Sequence, residues 1–548
     1  MMRENIQYTI PARLNESVRL YGEREAYSIV GGESFNYKDV GERVLSVIAY
    51  LEKLDVKPGD RVAILSTNMP NWGISYFAIT SMGAIAVPLL PDFSPTELGN
   101  ILEHSESKVI LVSEALSPKL KAVSNDFLQS RILINDFSLI NADINDVSYQ
   151  ENNKPKGIYN VVEQDLAAII YTSGTTGTSK GVMLTHKNLI FDAVVTNKLQ
   201  PVTMEDRFLS VLPLSHTYEN TLGLILPMTR GASVSYLMKP PVPSILLPAL
   251  KQVKPTMMLT VPLIIEKIYK KSILPKFNSS SVIKFLYKIP VIRKKLNRIA
   301  GKKLYETFGG NLHFFGIGGA KLDGTVEKFL KEAKFPYSIG YGLTETSPLV
   351  AGSNPKSAKL QAVGLALVDV EMIIDNPDKK TGEGEVWVRG ANVMKGYYKD
   401  PEKTKEVLTE DGWFKTGDLA TINKDGVLYI KGRLKNMIVG ASGENIYPED
   451  IESVINNFRY VVESLVVQKK GKLVALVHFN KEELDLQYNH LKEDVTRYVD
   501  VKLDELAIEL QQYVNSRVNR FSRVELVITH ENPFQKTATH KIKRFLYV

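Results

Sequence analysis

The sequence contains no cysteine. Disulfides, thiolate metal sites and a cysteine nucleophile are thereby excluded. A reducing compartment fits this absence without being required by it, since a cysteine-poor lineage gives the same zero. Long apolar runs are missing as well. None approaches the ~18 residues of a membrane-spanning helix, and the opening stretch MMRENIQYTIPARLNES lacks the apolar core of a signal peptide. A cytoplasmic protein is the expectation. Neither glycine (36) nor proline (26) is in excess among the 548 residues, which removes collagen-like and low-complexity classes. With 44% hydrophobic and 24% charged residues the chain can bury a large core, and its length predicts two or more structural units. No internal repeat of fixed period is found.

Acidic residues are nearly absent from one place. Residues 266–303 hold twelve Lys or Arg against one Glu, a local balance of +11 in a chain of net +7, so the rest carries −4. Apolar residues interleave with these charges. Such a block is most simply a solvated helical face. A surface drawn to anionic lipid headgroups is the sharper reading, and nucleic acid is the weakest, because no binding-module signature accompanies it.

The periodicities divide the chain. RVAIL (61–65), IAVPLL (85–90) and KVILVS (108–113) are apolar runs separated by helical stretches near 72–82 and at PTELGNILEHS. This alternation predicts βαβ units and a parallel sheet covered on both faces. The pattern resumes at LAAIIYTS, GVMLT, SVSYLM, MMLTV and NLHFFGIGG. Beyond about Gly382 it changes to hairpin-like segments, GEGEVWVRG, TINKDGVLYIKGR and SLVVQKKGKLVALVHF, the last with a Lys-Gly turn. The expected fold class is a large α/β body with parallel sheets flanked by helices and a β-rich subdomain, followed by a small α+β C-terminal domain.

One stretch stands apart. YTSGTTGTSKG (171–181) packs three glycines, six Ser or Thr hydroxyls and a lysine into eleven positions between two strand patterns. Glycine-rich turns leaving a strand expose backbone N–H groups that bind phosphate oxygens. It is not a Walker A loop: Lys180 follows Ser179 and precedes Gly181, and a strand rather than a helix comes next. Alone, the cluster could equally be an ordinary loop.

The stretch resembles the phosphate loop of the adenylate-forming (AMP-binding) superfamily. Further segments match that family's pattern in its order: GIGGAKL (316–322), IGYGLTETSP (339–348), WFKTGDL (413–419), GRLKNMIVGASGENIYPEDIE (432–452) and FQKTATHKIKR (534–544). The resemblance covers nearly the whole chain. It implies that a carboxylate attacks the α-phosphate of ATP, giving an acyl-adenylate and pyrophosphate, and that a thiol then displaces AMP. Thr172, Ser173, Gly174, Thr175, Thr176 and Lys180 are implied to grip the phosphates. Glu345, with Thr172 nearby, would hold Mg²⁺, a cation suited to hard oxygen ligands. Thr344 would bond the α-phosphate, Tyr341 would stack on adenine beside Gly342, and Gly318 and Gly319 would wall the base. Asp418 would take the ribose hydroxyls, assisted by Arg433.

Lys541 is implied to be the catalytic cation of the first step, together with Thr344 and Glu345. Lys435 falls where the family places its hinge, which implies domains at 1–434 and 435–548, the second mobile. After adenylation this domain would turn so that Gly443 lets the pantetheine arm of CoA pass. Two departures from the family pattern are Asn436, where Asp is common, and His540, where Gly is common.

The substrate stretch is LPLSHTYENTLGLILPM (212–228), with His216 as a pocket-wall residue. No Asp sits where amino-acid-activating relatives anchor an ammonium, and a carrier domain after residue 548, as in a peptide-synthetase module, is not expected. LPLSHTYENT, VPLIIEKIY and YGLTETSP most resemble the long-chain fatty acid branch, so the expected partners are fatty acid, ATP, Mg²⁺ and CoA. With such a substrate, peripheral contact between 266–303 and the anionic inner face of a membrane becomes the favoured reading of the basic block. Transfer to an acyl carrier protein is the second reading, and a catalytically dead acyl- or nucleotide-binding relative a distant third. Chain length and oligomeric state are not encoded in any spacing.

Overall fold

The computed structural model describes residues 7–123, 126–140, 147–172, 179–440, 444–488, 495–539 and 541–548. Ser173, Gly174, Thr175, Thr176, Gly443 and His540 therefore lie outside the described residues.

Two large sheets make the body. The first has seven strands in the order 396–397, 180–185, 166–172, 85–89, 61–65, 107–112 and 130–133. Its strands 61–65, 85–89, 107–112, 130–133 and 166–172 run parallel, as their apolar character predicts. The second has nine strands, 365–366, 349–352, 337–342, 314–317, 257–260, 207–210, 233–236, 25–29 and 34–36. Both sheets are mixed rather than purely parallel. Strand 180–185 turns back antiparallel on 166–172, and 349–352 does so on 337–342. In each case the connection is too short to hold a crossover helix, which parallel pairing needs. The reversals lie where the sequence places its phosphate loop and its IGYGLTETSP segment.

Local rules account for the helices that cover these sheets. Pro95 follows the N-cap Ser94, whose hydroxyl accepts from Glu97 N while the Glu97 carboxylate accepts from Ser94 N, closing a capping box. Thr185 and Asn188 form the equivalent box at the start of helix His186–Leu199. Helix Pro70–Ser81 is apolar almost all round and is buried between the layers, with Trp72, Tyr76 and Phe77 fully enclosed.

Residues 370–433 form an antiparallel four-stranded sheet, 370–375, 384–390, 414–422 and 428–433. A separate three-stranded sheet, 461–469, 472–479 and 526–529, carries its own core of Ile451, Val466, Leu473, Ala475, Leu506 and Leu510. The hairpin turns at Lys470 and Gly471, both with positive φ, the geometry that suits the right-handed twist of two-residue hairpins. The third strand joins in parallel after helix Val495–Asn515, a crossover the sequence reading did not anticipate.

The C-terminal unit rests on the body through a polar seam. Lys321 pairs with Asp450 at 2.6 Å, Lys270 donates to the Asn456 carbonyl, and Asn457 and Ser453 donate to Asp323. Asp323 is bifunctional. One oxygen caps helix Gly324–Ala333 by accepting from Thr325 N and Val326 N, and the other receives the C-terminal unit. Asp323→Ala is expected to destabilise the chain by about 1 kcal/mol through the lost cap and to loosen the seam. Asn457→Ala should loosen the seam while leaving the cap intact. Denaturant unfolding with limited proteolysis of the 434–440 connection separates the two effects.

Candidate active site

The predicted residues gather at the carboxyl ends of strands from both sheets, where open α/β folds bind ligands. Thr172 ends strand 166–172, Tyr341 and Gly342 end strand 337–342, Gly318 and Gly319 follow 314–317, and His216 follows 207–210. Asp418 and Arg433 come from the four-stranded sheet, paired across two antiparallel strands.

Asp418 is nearly buried, and Arg433 Nε lies 2.7 Å from its Oδ1. The Tyr341 hydroxyl donates to the other oxygen at 2.8 Å. Burial raises the Asp418 pKa above its ordinary value against the pull of Arg433 and the Tyr341 hydroxyl. Tyr341 thus has its hydroxyl spent on the carboxylate that the resemblance assigns to ribose. The bond fixes the ring's tilt.

Gly342 is indispensable for steric reasons. A Cβ there would lie 1.8 Å from the Pro348 carbonyl oxygen. The turn after it is held by Thr346, whose hydroxyl accepts from Leu343 N at 2.9 Å and lies 2.8 Å from the Pro348 oxygen, and by Ser347 donating to Asn392 O. Thr344 and Glu345 ride on this turn, both partly exposed. Gly319 has φ +84°, the left-handed region, and Gly318 faces the Tyr218 ring, which a Cβ would approach to 3.2 Å. Gly181, the last glycine of the phosphate loop, serves packing: a Cβ would meet Ile169 at 2.8 Å, Tyr171 at 3.2 Å and Tyr398 at 3.3 Å.

Sequence reasoning missed Tyr397. Its hydroxyl donates to Glu345 Oε1 at 2.9 Å, and Lys180 Nζ sits 4.9 Å from its ring centroid. One side chain therefore ties the phosphate-loop lysine to the carboxylate proposed for Mg²⁺. Tyr397 is placed there because 396–397 pairs with 180–185, a contact between residues over two hundred positions apart that no local pattern announces. Thr416 was missed too; it accepts from Asp418 N at 3.1 Å and so fixes the turn carrying the carboxylate.

Lys541 arrives from the far end of the chain. A turn in which Thr537 N donates to Lys541 O, and Lys541 N to the Thr537 hydroxyl at 3.2 Å, presents it to the cleft. Open to cleft solvent yet hemmed in by protein, it has a pKa below the usual lysine value. Desolvation is the main cause and Arg433 adds to it, while Asp418 and Glu345 pull the other way. His216 is held neutral, its pKa down to about 4, by burial and by the Lys541 charge. Its Nδ1 accepts from Tyr218 N at 3.2 Å, so it caps the following helix. Lys541, Arg433, Asp418, Glu345 and His216 thus share one electrostatic environment. Lys435 is exposed on the segment 434–436 next to Arg433. The neighbouring Asn436 donates to Glu449 at 2.6 Å, a contact an aspartate could not make as a donor.

One carboxylate at Glu345 with flanking hydroxyls fits a cation that takes its remaining ligands from water and phosphate oxygens, as Mg²⁺ does. The cation excess of Lys180, Arg433 and Lys541 at a cleft lined by glycine backbone suits a polyphosphate.

Residues 14–398 match the AMP-binding enzyme family, and the chain belongs to that family. It is 30% identical to fatty acyl-CoA synthetase A of Dictyostelium discoideum over 76% of this chain and 67% of that one. It is also 30% identical to a chloroplastic long-chain-fatty-acid–[acyl-carrier-protein] ligase of Arabidopsis thaliana, over 88% and 78% of the two chains. Among solved structures, ATP-bound MatB from Rhodopseudomonas palustris superposes with TM-score 0.78 at 22% identity, covering 99% of this chain and 98% of that one. O-succinylbenzoate coenzyme A synthetase from Bacillus subtilis, in complex with ATP and magnesium ion, gives 0.77 at 23% over 97% and 98%. These superpositions establish the adenylate-forming fold.

Because burial already disfavours the Asp418 carboxylate, Asp418→Asn should change folding stability by no more than about 1 kcal/mol. It should nevertheless weaken ATP binding by roughly tenfold or more, the worth of a charge-assisted hydrogen bond. Denaturant unfolding and calorimetric titration with ATP measure the two separately.

Proposed function

We propose that the protein joins a long-chain fatty acid to CoA in two steps at one cleft, first forming acyl-AMP and pyrophosphate from fatty acid and ATP, then releasing AMP as the CoA thiol takes the acyl group. The observation that carries this reading is the convergence of Lys541 with Arg433, Asp418, Glu345 and His216. A lysine from a separate folding unit, facing the nucleotide site, can neutralise a carboxylate oxygen and the α-phosphate as their bond forms. Thr344 donates to the same phosphate, and Asp418 with Arg433 holds the ribose. When bound at Glu345 and Thr172, Mg²⁺ supplies charge neutralisation for the leaving pyrophosphate. Thr172, Lys180 and the loop between them hold the β- and γ-phosphates.

The acid is read from the wall beyond His216. A narrow cavity of about 40 Å³ lies between helix His186–Leu199, the helical stretch 217–230 and the nine-stranded sheet, lined by Phe208, Tyr218, Leu222, Leu226, Met257 and Phe314. Its lining is almost wholly apolar and has no cation to meet a second carboxylate. Each methylene buried there is worth ~0.8 kcal/mol. Fatty acyl-CoA synthetase is the printed activity of one relative and acyl-carrier-protein ligation of another, so acceptor choice is decided by offering both thiols.

The domain assignment follows the same logic. Residues 435–548 act as the mobile unit, turning about Lys435 so that Lys541 leaves and the segment with Gly443 enters for thioester formation. The polar seam of Lys321, Asp450, Asp323 and Asn457 suits a contact that must break each cycle, since exposed ion pairs are worth only ~0–1 kcal/mol.

The block 266–303 supports peripheral membrane contact, in part only. Lys270 is engaged by the C-terminal unit, and Arg293 is bound to Glu332 at 2.9 Å. What remains is a patch on helices Ser281–Leu286 and Pro290–Thr307, where Val282, Phe285 and Val291 are each about two-thirds exposed beside Lys284, Lys288, Lys294 and Lys295. Each lysine near an anionic bilayer is worth about 1 kcal/mol, and the exposed Phe285 can enter the headgroup layer.

Lys541→Ala should lower the acyl-adenylate rate by about 10²–10³-fold, as loss of a preorganised charge does, while sparing thioester formation from supplied acyl-AMP. Equal loss of both half-reactions would refute the assignment. Lys435→Pro should slow the second step more than the first, read by pre-steady-state formation of acyl-CoA against pyrophosphate. Charge reversal of Lys284, Lys288, Lys294 and Lys295 should abolish flotation with phosphatidylglycerol vesicles at low salt; unchanged flotation would exclude this patch.

A further inference from the structure

The stretch that lines the acyl cavity carries a second, opposite face that the reaction does not use. Tyr218, Leu222 and Leu226, four residues apart, look into the cavity. Glu219 and Asn220 look the other way, into the interior between helix Pro70–Ser81 and the nine-stranded sheet, and are 2% and 0% exposed. A glutamate enclosed to this degree normally pairs with a cation. This one does not. Its Oε1 accepts from the Ser210 hydroxyl at 2.6 Å, Ser210 accepts in turn from Asn68 Nδ2 at 2.9 Å, and Oε2 has no protein partner among the described residues.

Three features make the arrangement specific. The carboxyl is tucked against its own next turn, where a Cβ at Gly223 would stand 2.7 Å from Glu219 Cδ; only glycine leaves it room. Residues Asn220–Ile225 form a π-helical turn, a wide turn that costs backbone geometry and recurs where a helix serves a site. Around it lies a buried layer of hydroxyl and amide groups, in which Asn220 interacts with Tyr76 while Tyr27, Tyr236 and Thr221 have hydroxyls without a hydrogen-bond partner among the described residues. Each such group costs about 1–3 kcal/mol when left unpaired, so the helix is held in a packing that a small displacement can re-pair. The cavity it walls is narrow.

Resting on the fatty acid reading above, we infer that Glu219 is a positioning residue whose protonated carboxyl seats the stretch 217–230 and thereby sets the length of acyl chain the cavity admits. Burial pushes its pKa up to about 8, against the Ser210 hydrogen bond, so the neutral acid prevails at pH 7. The titratable groups facing it are Tyr218 on its own stretch and Tyr236 on the neighbouring strand, with Tyr27 and Tyr76 behind them, all raised by burial and neutral. His216, at the start of the stretch, is likewise neutral. Ionisation at alkaline pH would put an uncompensated charge against this ring of hydroxyls and displace the wall.

The test compares wild type, E219Q and E219A with octanoate and palmitate at pH 7 and pH 9. E219Q, neutral and isosteric, should match the wild type at pH 7. E219A should raise KM for palmitate by about tenfold, the equivalent of 1.4 kcal/mol, with kcat and the octanoate KM little changed. From pH 7 to 9 the wild-type palmitate KM should rise by about tenfold, because a group of pKa near 8 is then about nine-tenths ionised, and E219Q should stay flat. Equal losses for both acids in E219A, or identical pH profiles for wild type and E219Q, would overturn the inference. Thermal unfolding adds a readout free of turnover. The folded state holds the proton up to about pH 8 and the unfolded glutamate only to about 4.3. Wild type should therefore lose stability relative to E219Q as pH rises between those values, and no divergence would likewise overturn it. A wild type that turns over no fatty acid while the melting curves diverge would fault the substrate reading and not the buried proton.

Discussion

Two cations crowd the cleft, and the arrangement depends on how they are answered. Arg433 and Lys541 repel one another, which adds to the desolvation that chiefly lowers the Lys541 pKa. Asp418 meets Arg433 directly, and Asp418 and Glu345 both draw Lys541 inward. In the apolar surroundings that burial creates, neither repulsion nor attraction is screened as it would be in water. The protein's own anions balance the pair only in part once Lys180 is counted. A polyanion completes the balance, and its departure leaves the cations opposed. A polyanion in the cleft and the C-terminal lysine are thus coupled by charge.

The same balance rationalises what surrounds the site. Tyr341 and Tyr397 each give a hydroxyl to a carboxylate that must remain an acceptor, Asp418 and Glu345 respectively. A tyrosine is a suitable donor because it orients the acid without adding another cation. Tyr397 spends its ring on Lys180 as well, so a single side chain spaces the phosphate-binding charge from the acidic group. The glycines do a different task. Gly342 and Gly181 exist to let backbone and aromatic groups approach, whereas Gly319 has the left-handed conformation that glycine adopts cheaply.

The sequence was most legible where chemistry restricts residue type and neighbouring positions act together. The strand runs from RVAIL to FFGI and the hairpin at Lys470-Gly471 were readable because each is announced by a pattern within a few residues. The strand on either side of the phosphate loop was visible, but the antiparallel return of 180–185 on 166–172 was not foreseen. Tyr397, Thr416 and the seam from Asp323 to Asn457 were illegible, because each is made by segments that meet only after the sheets assemble. Residues 266–303 show the limit from the other side. Their charge was counted correctly, yet Lys270 and Arg293 proved to be engaged within the protein.

Glu219 lay in plain view three residues after His216, at the polar start of a stretch that turns apolar at Leu222, and its meaning was still hidden. A glutamate next to an asparagine in such a run reads as a helix surface. The fold instead turns both inward: 218, 222 and 226, at helical spacing, line the cavity while 219 and 220 are buried on the other side. A regular α-helix with a single apolar stripe would have placed one set against the core and the other in water. Here both sides are core, one kept apolar for a hydrocarbon chain and the other polar and uncharged. The polar side stays neutral only while the carboxyl holds its proton, so the shape of the apolar side is tied to one buried ionisation that the adenylation chemistry itself never touches.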